Sequence, residues 1–294
     1  MIPFAEFAAR KTDEAQRARI HPLVTIGGYS APTGFTQIGN AWARRLYDGP
    51  FLVAAPPDDV LPAVSLVFVR SREGNTGTRD PSALGAGATD KHLIYEGLSR
   101  AAAHAVMAGA ATAGGEGVFF SVWHPEIVEL RASLGLARHP AQVVVTAAGR
   151  IDVERSRVFN VPEVPVYLLA TPRACTRLAP GLRERPWVRV VRIEGKALRP
   201  ALEALRAEFG IERISAVGGR TIASALLDQG AVRDVCLTTT ERSGGEPGTP
   251  YYAGTRSLAL RPLVTKRGTD PDAPFLFEHL MLATSSRSAP TPRR

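Results

Sequence analysis

The stretch "RISAVGGRTIASALLDQG", residues 213–230, joins a strand pattern directly to a helix pattern. Residues 214–217 form a short apolar run that predicts a strand, and residues 221–228 predict a helix. Gly218 and Gly219 lie at the junction. Because glycine destabilises regular structure, a pair of glycines here indicates that a ligand or another chain segment approaches the backbone closely.

The same alternation of strand and helix patterns runs along most of the chain. Strands are predicted at 63–70, 105–108, 141–146, 164–170, 187–193, 214–217, 234–240, 258–263 and 275–282, and helices at 90–103, 126–136, 198–209 and 221–228. This order predicts an α/β fold with a mostly parallel central sheet. Such sheets bind ligands at the carboxyl ends of their strands.

Composition divides the chain into three parts. Residues 1–60 form an N-terminal extension in which glycine and proline recur, with a helix predicted near 6–19 and a strand at 51–55. Residues 61–284 hold the alternating pattern and form the main domain. Residues 285–294, "SSRSAPTPRR", predict a disordered tail.

The charge of the chain gives little support to nucleic-acid binding. The formal charge is +8. Of the 36 basic residues, four are lysine and 32 are arginine. The arginines are scattered, and the aromatic residues, 7% of the chain, do not interleave with basic clusters. We expect no nucleic-acid partner, whereas a phosphorylated small molecule suits this charge.

The sequence also indicates a soluble cytoplasmic protein with no membrane partner. Its two cysteines, Cys175 and Cys236, are 61 residues apart, a spacing that matches neither a metal motif nor a disulfide framework. No apolar run reaches the roughly 18 residues that span a membrane. The first 20 residues lack the apolar core of a signal peptide.

A second glycine junction resembles the first. It is "HAVMAGAATAGGEG", residues 104–117, where an apolar strand pattern ends at Gly109 and Thr112 follows. The N-terminus of a helix offers unpaired N–H groups to a phosphate, and glycine lets the phosphate approach. Neither stretch is a standard phosphate-binding motif. In the second, Gly115 and Glu116 stand where a P-loop has its Lys and Ser/Thr, and no G-x-G-x-x-G follows an early strand. The alternative for each junction is tight packing of strand on helix.

Four stretches in this order resemble one known family. They are "VSLVFVRSREG" (64–74), "AAHAVMAGAATAGGE" (102–116), "VVVTAAGR" (143–150) and "AVGGRTIASALLDQGAVRDV" (216–235). Their order and spacing over about residues 61–260 resemble the reductase domain of the riboflavin pathway. This resemblance implies a dihydrofolate-reductase-like α/β fold, with helices on both faces of a mostly parallel sheet and antiparallel C-terminal strands.

The resemblance also implies an NADPH site and a homodimer. The positions that match the family's first cofactor loop are Gly109, Ala110, Thr112 and Glu116. Those that match the adenosine side of its site are Thr146 and Arg150. Those that match its pyrophosphate loop are Gly218, Gly219, Arg220 and Thr221. A guanidinium group suits phosphate, so Arg150 is a candidate partner of the cofactor's 2′-phosphate. For both Arg150 and Arg220 the alternative is a solvated surface arginine.

Proton donation and substrate binding have four candidate residues. Glu73 and Asp90 are the candidate catalytic acids, provided that burial raises their pKa. Ser71 and Lys91 are the candidate substrate contacts. The alternatives are a charged loop tip for Glu73, a helix cap for Asp90 and a solvated first-turn residue for Lys91. No metal site is predicted, because the histidines have no ligand spacing.

Four departures from the family weaken the prediction of its substrate. One is the stretch "GVFFSVWHPEIV" (117–128), which differs from the family's own sequence after the first loop, and the other three are single residues. Val217 stands where the family has a Glu before the double glycine, Glu73 replaces an Asp, and Glu116 replaces another Asp. The favoured function is an NADPH-dependent reductase resembling 5-amino-6-(5-phosphoribosylamino)uracil reductase, acting on a small heterocyclic or phosphorylated substrate. The alternatives are a non-catalytic dinucleotide-binding protein on the same scaffold and, on charge alone, a nucleic-acid binder.

Overall fold

A ten-stranded sheet forms the centre of the molecule in the computed structural model, which describes residues 1–29, 31–78 and 81–283. The predicted tail, 285–294, lies outside the described residues. The strands are β1 Leu23–Tyr29, β2 Phe35–Ile38, β3 Phe51–Ala54, β4 Ala63–Arg70, β5 Ala105–Gly109, β6 Ala141–Thr146, β7 Val166–Ala170, β8 Val188–Arg192, β9 Arg213–Ala216, β10 Val232–Thr240, β11 Leu260–Gly268 and β12 Phe275–Leu282. The order across the sheet is β1-β11-β12-β10-β4-β9-β5-β6-β7-β8.

Seven neighbouring strands, from β10 to β8 in that order, pair in parallel. The remaining strands, β12, β11 and β1, extend the sheet in antiparallel fashion. β2 and β3, which are joined through the helix Ala41–Tyr47, form a separate two-stranded antiparallel sheet. The predicted mixture of a mostly parallel sheet and antiparallel C-terminal strands is therefore confirmed.

Helices cover both faces of the sheet. They are α1 Phe4–Arg17, α2 Ala41–Tyr47, α3 (87–101), α4 Ala110–Ala113, α5 Pro125–Ser133, α6 Pro172–Leu182, α7 Arg199–Phe209 and α8 Arg220–Asp228. Along the parallel strands, alternate residues join two buried apolar clusters. One cluster includes α7 and α8, and the other includes α1, α2, α3, α5 and α6. No helix in the described ranges is both long and apolar enough to cross a membrane.

The N-terminal segment is built into the same core as the sheet. Phe7 and Ala15 of α1 are buried in the larger apolar cluster. Phe7 meets Trp123 edge-on, with ring centroids 5.8 Å apart, and Arg157 lies over the Phe7 ring. β1 pairs with β11 at one edge of the sheet. This segment therefore contributes both a helix to one face and a strand to the edge.

Helix α3 positions the side chains that matter for function, and its shape is unusual. Its middle part, Asp90–Leu98, is a π-helix between two short α-helical turns, Gly87–Thr89 and Ser99–Ala101. Gly97 has φ −112° and ψ −106°, outside the helical region. Asp90 therefore lies inside the helix, whereas the sequence predicts Thr89 or Asp90 as its N-cap. No side chain caps the N-terminus of the π segment.

Candidate active site

The two glycine junctions meet at the carboxyl ends of β5 and β9, which are neighbours in the sheet. A Cβ atom built on Gly219 would lie 3.8 Å from the backbone nitrogen of Gly109. One built on Gly218 would lie 3.6 Å from Cγ2 of Thr112. Gly218 and Gly219 have φ of +94° and +88°, a region that side chains rarely adopt. The backbone itself therefore requires glycine at both positions.

A cleft of about 950 Å³ opens at this edge of the sheet. Its wall includes the end of β4, the first half of α3 and the loop before α8. The residues of the two glycine junctions that line it are Thr112, Gly117, Val217, Gly218, Gly219 and Arg220. This volume is at the upper end of the range for small-molecule sites, which run from about 300 to 1,000 Å³. The cleft is large enough for an extended ligand.

The wall beside α8 fits a phosphate-containing ligand. Gly219 precedes the first residue of α8, and no side chain caps the helix there. Its first N–H groups are thus available to an anion, and the helix dipole adds partial positive charge. Arg220 supplies a cation within the cleft wall, with its guanidinium 4.0 Å from Glu246. Thr221 follows in the first turn and is exposed.

Asp90 lies in the same cleft, on helix α3. Its side chain is almost completely buried, and Thr238 Oγ1 of β10 donates a hydrogen bond of 2.6 Å to its Oδ1 atom. Burial raises the pKa of Asp90 to about 6, although the bond from Thr238 opposes the shift. This carboxyl group therefore keeps its proton at mildly acidic pH, unlike an ordinary aspartate.

Glu73 and Ser71 occupy a tight turn after β4. The Glu73 carboxylate is exposed and accepts a hydrogen bond of 3.3 Å from the backbone N–H of Gly244. Hydrogen bonds, that from Ser243 first, lower the pKa of Glu73 to about 2. Ser71 is buried, and its Oγ accepts from the N–H of Asn75 within the turn. Neither residue is among those that line the cleft.

Lys91 lines the cleft but already has a carboxylate partner. Its Nζ atom pairs with Oε1 of Glu14, from helix α1. Glu14 also pairs with Lys11, at 3.1 Å. Although partial burial opposes it, hydrogen bonds to Lys91 and Lys11 lower the pKa of Glu14 to about 2. The N-terminal segment thus neutralises the cation nearest to Asp90 in the chain.

The remaining predicted cofactor contacts lie outside the described wall of the cleft. Thr146 ends β6, and its Oγ1 accepts a bond of 3.0 Å from the N–H of Gly149, while Arg150 is exposed. Glu116 pairs with the N-terminal amine of Met1 at 3.8 Å and with Arg155 at 3.6 Å. Gly109 precedes the short helix α4, which begins at Ala110. The structure thus groups Asp90 and Lys91 with Thr112, Gly218, Gly219 and Arg220.

Two polar residues of the cleft wall, Tyr95 and Glu96, are not predicted from the sequence. Tyr95 and Glu96 lie on α3, five and six residues after Asp90. Oε2 of Glu96 is buried without a hydrogen-bond partner in the described part of the chain, and Nδ1 of His92 lies 3.6 Å from it. The i,i+4 spacing of His92 and Glu96 predicts that the two side chains are neighbours on a helix. It does not indicate which of them faces a ligand.

Among the solved structures that share this fold are those of three proteins. RibD of Acinetobacter baumannii superposes with a TM-score of 0.58 at 18% identity, over 76% of this chain and 58% of that one. A pyrimidine reductase-like protein of Corynebacterium diphtheriae gives 0.59 at 21%, over 76% and 92%. Rib7 of Saccharomyces cerevisiae, a riboflavin biosynthesis reductase, gives 0.54 at 14%, over 76% and 91%. At these identities the likeness shows the fold alone, and our chain matches little more than half of the Acinetobacter protein.

The sequence itself matches one family, described as the RibD C-terminal domain, over residues 74–263. A comparison with curated proteins gives no match. The fold and the family resemblance predicted from the four sequence stretches are confirmed. The matched segment takes in well over half of the chain, including Asp90 and both glycine junctions, and the chain therefore belongs to the RibD C-terminal domain family.

Proposed function

We propose that this protein is an NADPH-dependent reductase that transfers hydride to a small heterocyclic or phosphorylated substrate, as 5-amino-6-(5-phosphoribosylamino)uracil reductase does. The observation that carries this proposal is the position of Asp90. A buried carboxyl group with a raised pKa lies in the same cleft as the glycine pair before α8. A reductase of this kind needs a phosphate-binding site to hold the dinucleotide that supplies the hydride. It also needs an acid to give the product its proton.

The chain offers a binding partner for each part of the cofactor. Gly218, Gly219 and the N–H groups of α8 would hold the diphosphate, with Arg220 as the cation. Arg150 is exposed beyond β6 and would meet the 2′-phosphate, which is our reason for naming NADPH rather than NADH. The bound nicotinamide supplies the hydride, and the protein supplies position and electrostatics.

Asp90 would deliver the proton that balances the hydride. Thr238 holds Oδ1 of Asp90 through its hydroxyl, which leaves the other oxygen to carry the proton toward the cleft. The structure favours Asp90 over Glu73, because the exposed Glu73 has a pKa near 2 and is ionised at any physiological pH. A general acid of this kind contributes about 100- to 10,000-fold to a rate.

The substrate end of the cleft favours a ring that carries hydrogen-bond donors. Glu96 Oε2 is a buried acceptor that receives no hydrogen bond from the described residues, and a buried acceptor without a hydrogen bond is costly. A ring N–H or amino group of the substrate would satisfy it. We further propose a homodimer in the cytoplasm, as the family resemblance implies, which size-exclusion chromatography with light scattering tests for the oligomeric state.

A direct test is to mix the purified protein with NADPH and then add ribosylaminopyrimidine phosphate or dihydrofolate. We expect cofactor fluorescence to change on mixing and NADPH to be oxidised by one of the substrates. NADPH binding with no oxidation by a panel of heterocycles would favour the alternative of a non-catalytic dinucleotide-binding protein, for which Val217 in place of an acid is the supporting feature. Absence of NADPH binding would contradict both functions.

The turnover rate is expected to fall as the pH rises above about 6. The pKa of Asp90 is raised to about 6, so the protonated acid is the main form below that pH and is lost above it. Each further pH unit then lowers the population of the acid, and the single-turnover rate, about tenfold. Rates measured from pH 5.5 to 8.5 at saturating NADPH check this. A rate that stays flat or rises over this range would rule Asp90 out as the acid.

Removing the charge of Glu14 is expected to improve the binding of a phosphorylated substrate. In the Glu14→Gln variant Lys91 loses its carboxylate partner and its charge is free for the substrate phosphate. Because the pair is partly exposed, we expect a two- to fivefold fall in KM, about 0.5–1 kcal/mol. Glu6→Gln on the exposed side of the same helix is the matched control. Equal effects of both variants, or none, would show that Lys91 does not contact the phosphate.

A further inference from the structure

A second group of reactive side chains lies in the core, away from the cleft. Asp234 and Cys236 are two residues apart on β10 and so face the same side of the sheet, and His279 of β12 is directly opposite Cys236. All three side chains are at most 2% exposed. None of them lines the cleft that holds Asp90.

The three side chains lie close enough to share one ligand. A carboxylate oxygen of Asp234, Sγ of Cys236 and an imidazole nitrogen of His279 lie within 4.8 Å of one another. Nε2 of His279 is 2.7 Å from Oδ2 of Asp234. Ser65 of β4 donates a hydrogen bond of 2.8 Å to the other oxygen, Oδ1. Strand pairing holds the backbone of the whole group rigid, so the donor atoms are preorganised.

Two buried polar atoms around this group make no hydrogen bond within the part of the chain that the structure describes. Among the described residues, Nδ1 of His279 and Oγ of Ser215 have no hydrogen-bond partner. A cavity of about 20 Å³ is lined by Ser215 together with Ser65, Asp234 and Cys236. That volume holds one water molecule. Buried polar atoms without partners are rare in proteins and often mark a water or an ion at the site.

We propose that Asp234, Cys236 and His279 bind a zinc ion, with a water molecule in the small cavity as the fourth ligand. Thiolate, imidazole and carboxylate are the usual zinc ligands, at about 2.0–2.3 Å, so ligand atoms in a tetrahedral site are roughly 3.3–3.8 Å apart. Movements of about 1 Å bring the three donor atoms to that spacing. The bound water would donate to Ser215, which satisfies its hydroxyl.

Charge and surroundings both suit a zinc ion. Zn²⁺ with one carboxylate, one thiolate and one neutral imidazole has no net charge, as a buried site requires. Ser65 orients the carboxylate, and such outer hydrogen bonds are typical of metal sites. Phe51 of β3 stacks on the imidazole at 5.3 Å, and Phe35 of β2 meets it edge-on at 6.2 Å. The two-stranded β2–β3 sheet thus covers His279, and the zinc would enter before this small sheet packs against the core during folding.

The test loads the metal during folding. The full chain is expressed in minimal medium supplemented with Zn²⁺ or Co²⁺ and purified without chelators. We expect about one metal ion per chain, and the cobalt protein is expected to show the near-ultraviolet band of a thiolate-to-cobalt charge transfer. The band is expected to vanish in Cys236→Ala and to persist in Cys175→Ala, which removes the other, half-buried cysteine on α6.

X-ray absorption at the zinc edge of the unaltered protein keeps the test decisive if Cys236→Ala does not fold. One sulfur and otherwise nitrogen or oxygen neighbours would support the site. Metal contents well below one ion per chain, a zinc shell without sulfur, or a cobalt band that depends on Cys175 would each overturn it. The result is independent of reductase activity, because this group lies outside the cleft.

Discussion

The Asp90→Asn variant is expected to lose about 100- to 10,000-fold in kcat while binding NADPH as tightly as the unaltered protein. Asparagine keeps the shape of the side chain and accepts the bond from Thr238, so α3 and the cleft are retained. It has no acidic proton to give. Single-turnover oxidation of NADPH measures the loss directly, and fluorescence titration measures cofactor binding.

A matched carboxylate separates this effect from a general change in charge. Asp13 on α1 is exposed and pairs with Arg17 of the same helix, so Asp13→Asn is expected to leave kcat unchanged. The Glu73→Gln variant tests the competing acid. If Glu73→Gln showed the large loss and Asp90→Asn did not, the proton would come from the turn after β4. A variant that also lost its NADPH affinity would point to a structural role for Asp90.

The sequence identifies Asp90 as a candidate but places it in the wrong local environment. A 3.6-residue pattern beginning at residue 90 predicts an ordinary helix with Asp90 near its cap. The structure instead has a π segment around Asp90, which a pattern of apolar positions does not reveal. Asp90 is buried only in the folded chain, and Thr238, which donates a hydrogen bond to it, lies 148 residues further along the sequence. Its raised pKa is therefore a tertiary effect that no local pattern contains.

The parallel strands are the part of the fold that the sequence predicts best. Buried parallel strands are nearly continuous apolar runs, and the bounds predicted for two of them, 63–70 and 141–146, match the observed bounds. The antiparallel strand β12 also matches its predicted bounds, 275–282. Helix α6 was missed because its sequence, "PRACTRLAPGL", contains Pro180 and resembles a loop. Strand β1 was missed because Gly27 and Gly28 interrupt it, and its register with β11 is irregular there. Edge strands of this kind are stabilised by their partner more than by their own residues.

The glycine pair at 218–219 is the most informative signal for the site. Glycine is the residue that readily adopts positive φ, so a pair of glycines in the sequence indicates an unusual backbone conformation. The two junctions singled out in the sequence do meet in the fold, because β5 and β9 are adjacent strands. The contact of Glu14 with Lys91 was not predictable, because it joins residues 77 positions apart. Charged side chains on separate helices carry no sequence signal of their pairing.

The Gly218→Ala variant is expected to weaken NADPH binding on the order of 100-fold, about 2.8 kcal/mol. Gly218 has φ +94°, and a Cβ there would project beside Thr112 in the cleft wall, where the diphosphate must approach the N–H groups of α8. The new methyl group both strains the backbone and occupies space that the phosphate oxygens need. Fluorescence titration with NADPH gives the dissociation constant, and thermal unfolding gives the change in stability.

Gly210→Ala separates loss of the phosphate-binding site from simple backbone strain. Gly210 has φ +65° at the C-terminal end of α7, and a Cβ there meets nothing within 4 Å. Alanine at either position is expected to lower the free energy of unfolding by about 1–2 kcal/mol, because both adopt left-handed backbone conformations. Only Gly218→Ala is expected to lose NADPH affinity. If both variants bound NADPH equally well, the bare backbone before α8 would serve the packing of strand on helix, and the diphosphate would bind elsewhere.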